Sequence, residues 1–104
     1  MEIKLRVGDK EKTFTKDFIS GRMLRRTIEI NKKTNLGDLD AAGLDMVADY
    51  IAETFGGQFT RDEVYDGLSS HELIPTFQYL MSAVVSKANT DAGGEPDPNV
   101  RARV

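Results

Sequence analysis

Polar and apolar positions alternate at the start of the chain and then change period. Ile3, Leu5 and Val7 alternate with Glu2, Lys4 and Arg6, the period of two that gives a strand one buried face. Gly8-Asp9 supplies a turn and Lys12-Thr13-Phe14-Thr15 can return antiparallel, which predicts a hairpin over residues 2–15. Two strands do not hold alone, so this ribbon must lie on helices or pair with another chain. The lysines along it oppose easy pairing at its edge.

From Ser20 the period is helical. Ser20 suits an N-cap, with Ile19 and Leu24 at staple spacing. The helix predicted over about 20–33 has Met23, Leu24, Thr27, Ile28 and Ile30 as its apolar stripe. Arg22, Arg25, Arg26, Lys32 and Lys33 cover the rest, the last two where a helix C-terminus favours cations. After a loop, Asp40 caps a helix over about 40–55, with Leu39 and Leu44 as its staple. Leu44, Val47, Ile51 and Phe55 mark its buried face, and Ala48 and Ala52 permit close approach. Asp45, Asp49 and Glu53, four residues apart, form an acidic rail on another face.

The stretch from Phe55 to Leu68 joins the longer helices. Gly56 and Gly57 stand where a left-handed C-cap belongs. Thr60 and Glu63 have the spacing of a capping box, and Phe59 and Val64 that of its staple. A short helix over about 60–67 follows, stopped at Gly67. Ser69 and Glu72 then repeat the box, with Leu68 and Leu73 as staple, opening a helix over about 69–87. Pro75 requires either a kink or a single turn at 69–73 before a helix with proline in its first turn. Phe77, Leu80, Met81, Val84 and Val85 give this helix a broad apolar face, whose surplus over the core's need would be a partner groove. Residues 88–104 have almost nothing to bury and read as a flexible, disordered tail. The expected fold class is therefore α+β, mainly α. One domain over 1–87 packs an N-terminal β-hairpin on a small bundle of about four helices.

Composition narrows the chemistry. At 104 residues and 39% hydrophobic, one modest core is the limit. No apolar run reaches the roughly 18 residues of a membrane span, and the alternating N-terminus is unlike a secretory signal. Without cysteine there is neither a disulfide framework nor a thiolate, and a reducing compartment is the simplest reading. His71 is the only histidine, so no multi-histidine metal site forms. Ser69-Ser70-His71 is adjacency, not triad geometry. Asp62, Glu63 and Asp66 read as solvated, and no phosphate or dinucleotide loop occurs. Asp38-Leu-Asp-Ala-Ala-Gly opens like a calcium loop but fails at Ala42. No catalysis, cofactor or metal is expected.

The net charge of −3 is unevenly spread: residues 1–33 carry ten Lys/Arg against five Asp/Glu, and residues 34–72 one Arg against nine acids. Such opposed halves favour electrostatic docking onto a polar partner or between copies.

Taken in order, Lys-Thr-Phe of the hairpin, Phe18-Ile19, Arg22-Met-Leu-Arg-Arg, Glu29-Ile-Asn-Lys-Lys, the whole Phe55–Leu68 stretch and Glu72-Leu-Ile-Pro make a specific set. Over about residues 1–87 it resembles the tail assembly chaperones of long non-contractile-tailed phages (siphophages) of Gram-positive hosts. The resemblance implies a non-enzymatic protein of the host cytoplasm, absent from the mature virion. It would bind the tape measure protein, keep it soluble and help the tail tube polymerise around it. Implied partners are the tape measure protein, the tail tube protein through a frameshift-extended form, and further copies of the chain; nucleic acid and membrane are not expected. Helix-in-groove capture needs apolar anchors, for which Met23, Ile30, Met46, Tyr50, Tyr79 and Met81 are the candidates. The Arg22/Arg25/Arg26 cluster and the Asp45/Asp49/Glu53 rail would steer partners. Two alternatives are a small DNA-binding regulator using basic helix 20–33 and a structural tail or head-completion protein.

Overall fold

The structure, a computed structural model, describes residues 1–93, with side chains as far as Ala88. Glu2–Val7 (β1) and Lys10–Thr15 (β2) pair antiparallel, Ile3 opposite Phe14 and Val7 opposite Lys10. The two-residue turn needs a left-handed residue, and Gly8 supplies it at φ 69°. Ile3, Leu5 and Phe14 are buried. Val7, expected on the same buried face, is 47% exposed because the ribbon's last pair overhangs the helices.

Four helices follow: α1 (Gly21–Lys33), α2 (Ala41–Thr54), α3 (Arg61–Gly67) and α4 (Leu73–Gly93), with a 3-10 turn at Leu36–Asp38 between α1 and α2. The predicted caps form. Ser20 accepts from the Met23 N–H at 3.3 Å and Asp40 from the Gly43 N–H at 2.8 Å. At α3 the full box closes, Glu63 N–H to Thr60 at 3.1 Å and Thr60 N–H to the Glu63 carboxylate at 2.8 Å.

The joint after α2 is a Schellman turn. The Gly57 N–H donates to the Ala52 carbonyl and the Gly56 N–H to that of Glu53, with φ of 77° and 67° at the two glycines. The turn places Phe59 against both Phe55 and Phe14, with ring centroids 5.6 and 4.8 Å apart. The hairpin is thereby tied to the end of α2. Gly67 ends α3 as expected and has a second role. An added Cβ there would lie 2.9 Å from the Leu5 Cβ and 3.2 Å from the Arg6 carbonyl oxygen, so glycine lets α3 lie on the backbone of β1. The core is completed by Val47, Ile51, Val64, Leu73, Phe77, Leu80 and Val84, where α2 packs on α3 and α4, and α4 on α1.

The last helix departs from the expected 69–87 at both ends. Residues 69–72 are a turn, and α4 starts at Leu73 with Pro75 in its first turn, where no N–H bond is lost. Only half of the expected Ser69 box forms: the Glu72 carboxylate accepts from the Ser69 N–H at 3.0 Å, but Ser69 Oγ donates to that carboxylate instead of capping an N–H. At the other end the helical backbone continues past Lys87 to Gly93, so the first residues of the expected 88–104 tail are helical, and residues 94–104 lie outside those described.

Candidate functional site

Arg22, Arg25, Arg26 and Glu29 recur on α1 at three- and four-residue spacing and therefore share one face. That face forms one wall of a cleft of about 620 Å³ against Asp49, Ala52 and Glu53 of α2, with Ser20, Gly56 and Gly57 completing its lining. Met23 and Ala52 give it an apolar floor. The basic cluster and two members of the acidic rail are thus opposite walls of one cleft. Arg26 Nε reaches across to the Glu53 carboxylate at 3.0 Å.

The rail is not left open for a partner, because the fold supplies its own cations. Arg61, on α3, donates to both oxygens of Asp49 at 2.9 and 2.7 Å and approaches Asp45 at 3.6 Å. The Arg61 bond, ahead of every other influence, holds the Asp49 carboxyl below its ordinary range. The phenol of Tyr65 donates to Asp45 at 2.6 Å, and burial first, then that carboxylate, push its pKa up to about 12. The acidic rail therefore clamps α1, α2 and α3 together. Arg61 is the only Arg or Lys within residues 34–72, and that isolation among nine acids was the signal for its role.

On α1 the balance is reversed. Arg25 meets Glu29 at 3.5 Å, one turn away, with its own side chain 76% exposed. Arg22, Lys32 and Lys33 form no ion pair with any described residue. Cationic α1, not acidic α2, is the helix with charge to spare.

The twelve candidate residues fall in different places. Arg22, Met23, Arg25, Arg26, Asp49 and Glu53 line the cleft. Asp45 sits with Arg61 and Tyr65 beyond it. Met46 receives the Thr34 hydroxyl at 3.7 Å from its sulfur, beside the α1–α2 loop. Met81 lies in a second groove, between α1 and α4. Tyr79 is exposed on α4 outside both hollows. Ile30 and Tyr50 are core residues, and Met23 is 8% exposed, so none of these three is an open anchor. Their apolar character fits a helix interior as well as it fits an interface, and the packing of α1 on α2 and α4 decides between them.

Beneath the cleft runs a link that periodicity hid. Tyr50 Oη and Thr27 Oγ1 are 2.6 Å apart, and Thr27 donates to the Met23 carbonyl at 2.7 Å, so the phenol donates to Thr27. Burial raises the Tyr50 pKa. Thr27 entered the sequence reading as one more member of an apolar stripe. In the structure its hydroxyl satisfies the buried phenol and fixes α1 on α2.

Among the described residues, no group of three or more His, Cys, Asp or Glu could hold a metal ion, and no helix is long and apolar enough to cross a membrane. His71 Nδ1 lies 3.2 Å from Ser69 Oγ, but that hydroxyl is directed to Glu72, which leaves it unactivated. Residues 34–40 between α1 and α2 are longer than the three- to four-residue turn of a helix-turn-helix. In comparisons with known proteins, a family model described as "phage tail chaperone protein" matches residues 1–99. Nothing matches among curated proteins or among solved structures.

Proposed function

Because this chain belongs to the phage tail chaperone protein family, we propose that it serves tail assembly by binding the tape measure protein and keeping it soluble until the tube closes around it. The family match over residues 1–99 carries this reading. The cleft beside α1 supports it: a trough with an apolar floor and a cationic wall suits an amphipathic helix better than a small substrate. In this role the protein acts in the host cytoplasm without catalysing a reaction, and it is left out of the finished virion. A frameshift-extended form would bring the tail tube protein to the same complex.

Co-expression with the tape measure protein, followed by affinity purification and sizing, tests the reading. The tape measure protein should be insoluble alone and recovered as a soluble complex with the chain. The double reversal Arg22→Glu/Arg25→Glu spares Arg26, which is bonded to Glu53. It should lower recovery about tenfold, as loss and reversal of two exposed charge contacts would give. A tape measure protein equally insoluble with or without the chain would refute the proposal.

A further inference from the structure

The second hollow lies on the other side of α1. Thr27, Ile28 and Asn31 face Met81, Ser82 and Val85 of α4 across a groove of about 280 Å³. Ile28 was expected in the buried stripe of α1 but is 50% exposed, and Val85, on the broad apolar face of α4, is 39% exposed. Met81 is partly buried between them and packs against the core. The surplus apolar face anticipated on α4 is therefore real, and it meets an unburied residue of α1.

The charges around this groove are one-sided. Arg25, which meets Glu29 at 3.5 Å, and Lys32, which forms no ion pair with any described residue, stand three residues before and four after Ile28, so they flank it on the outer face of α1. From Leu73 to Ala88, α4 contains no Asp or Glu, and Gln78, Ser82 and Ser86 form its outer edge. Between Leu73 and Ala88, α4 offers no carboxylate to neutralise the α1 cations. The chain's acidic rail is on the far side and is occupied by Arg61 and Arg26.

An occupant must therefore bring its own carboxylates to α1 and an apolar stripe to Ile28, Met81 and Val85. We propose that this groove seats an amphipathic helix of the tape measure protein, with carboxylates along one flank of its apolar stripe. The identity of the partner rests on the reading above; the surface and the chemistry of the helix go beyond it. The adaptable thioether of Met81 lets successive, unlike segments use one groove. Among the described residues of a second copy, α1 is cationic and the acidic rail of α2 is already paired, so neither helix supplies such a stripe.

Two measurements test this. In the first, Ile28→Ser/Val85→Ser is co-expressed with the tape measure protein. Both positions are solvent-exposed, so the fold should persist, which circular dichroism checks, and recovery should fall at least about tenfold from the lost apolar contact. In the second, two synthetic helical peptides with the same leucine stripe, flanked by Glu or by Lys, are titrated onto the full chain by fluorescence anisotropy. The Glu peptide should bind about tenfold tighter in low salt, with the gap closing near ~1 M salt, where screening is nearly complete. Equal binding of the two peptides, or undiminished recovery with the double variant, overturns the groove while leaving the chaperone reading intact. Failure of the unaltered chain to recover any tape measure protein overturns both. A double variant that changes the chain's own oligomeric state but not recovery assigns the groove to a second copy and also overturns the proposal.

Discussion

Replacing Gly67 with alanine is a severe test of the packing account, because helix propensity and close packing predict opposite signs. As the last residue of α3, alanine would gain at most about 1 kcal/mol from helix propensity. Against this, the new Cβ would sit 2.9 Å from the Leu5 Cβ, 3.2 Å from the Arg6 carbonyl oxygen and 3.3 Å from the Arg6 nitrogen. Carbon atoms prefer about 3.5–4.0 Å, so α3 would have to withdraw by roughly half an ångström or more. Two of the three clashing atoms are strand backbone, and Leu5 is 1% exposed, so the site has little room to relax. Overpacking of this kind costs about 1–3 kcal/mol, and the middle of that range less the propensity gain leaves a net loss of about 1–2 kcal/mol. In a domain of this size that lowers Tm by about 4–15 °C. Urea unfolding followed by circular dichroism measures it, with Gly21→Ala as control, because an added Cβ at Gly21 meets nothing within 4 Å. Gly21→Ala should be neutral or stabilising. If Gly67→Ala is also neutral or stabilising, glycine is not what allows α3 onto β1, and the reasoning fails.

Three other outcomes follow from the same geometry. Tyr50→Phe removes a phenol while Thr27 keeps its bond to the Met23 carbonyl, and should cost about 1 kcal/mol; Thr27→Val strands the buried phenol and should cost about 1–3 kcal/mol. In a urea double-mutant cycle the two losses should not add, and additivity would mean the hydroxyls do not interact. Thr60→Ala breaks the box of α3 and should lower stability by about 0.5–2 kcal/mol, whereas Ser69→Ala, which caps no N–H through its side chain, should cost less. The Asp49 carboxyl is held low in the folded chain, so its contribution is full at neutral pH and disappears as pH falls through its depressed folded value, below the ordinary carboxylate range near ~4. Arg61→Ala should flatten that acid limb only slightly, since the pair is well exposed to solvent; an unchanged limb would show that Arg61 does not set it.

Local chemistry was the most legible part of the fold. Ser20, Asp40 and Thr60 cap helices because a side-chain oxygen at that spacing meets an unbonded N–H within the same turn, and Gly56-Gly57 reverse the chain for an equally local reason. What sequence alone did not reveal depends on which helix lies beside which. Met23, Ile30 and Tyr50 have the same apolar character whether they face a partner or the core, and only the crossing of α1 with α2 and α4 buries them. The rail of Asp45, Asp49 and Glu53 has a visible period, but its neutralisation needs Arg61 brought round by the Schellman turn and Arg26 brought across the cleft. Gly67 does end α3, but its second role was hidden, because a missing side chain shows no packing purpose until β1 lies against it. In the candidate site, the basic face of α1 and the surplus apolar face of α4 were readable from their spacing; the opposing wall of the cleft and the α1 side of the second groove were not.

The most direct test of the central claim, that the partner is held along both sides of α1, is hydrogen exchange of the free chain against its complex with the tape measure protein. Protection should concentrate in residues 21–33, with added protection at 52–57 of the cleft and 78–86 of α4. Protection confined to the hairpin and α3, with α1 exchanging as in the free chain, would contradict the account.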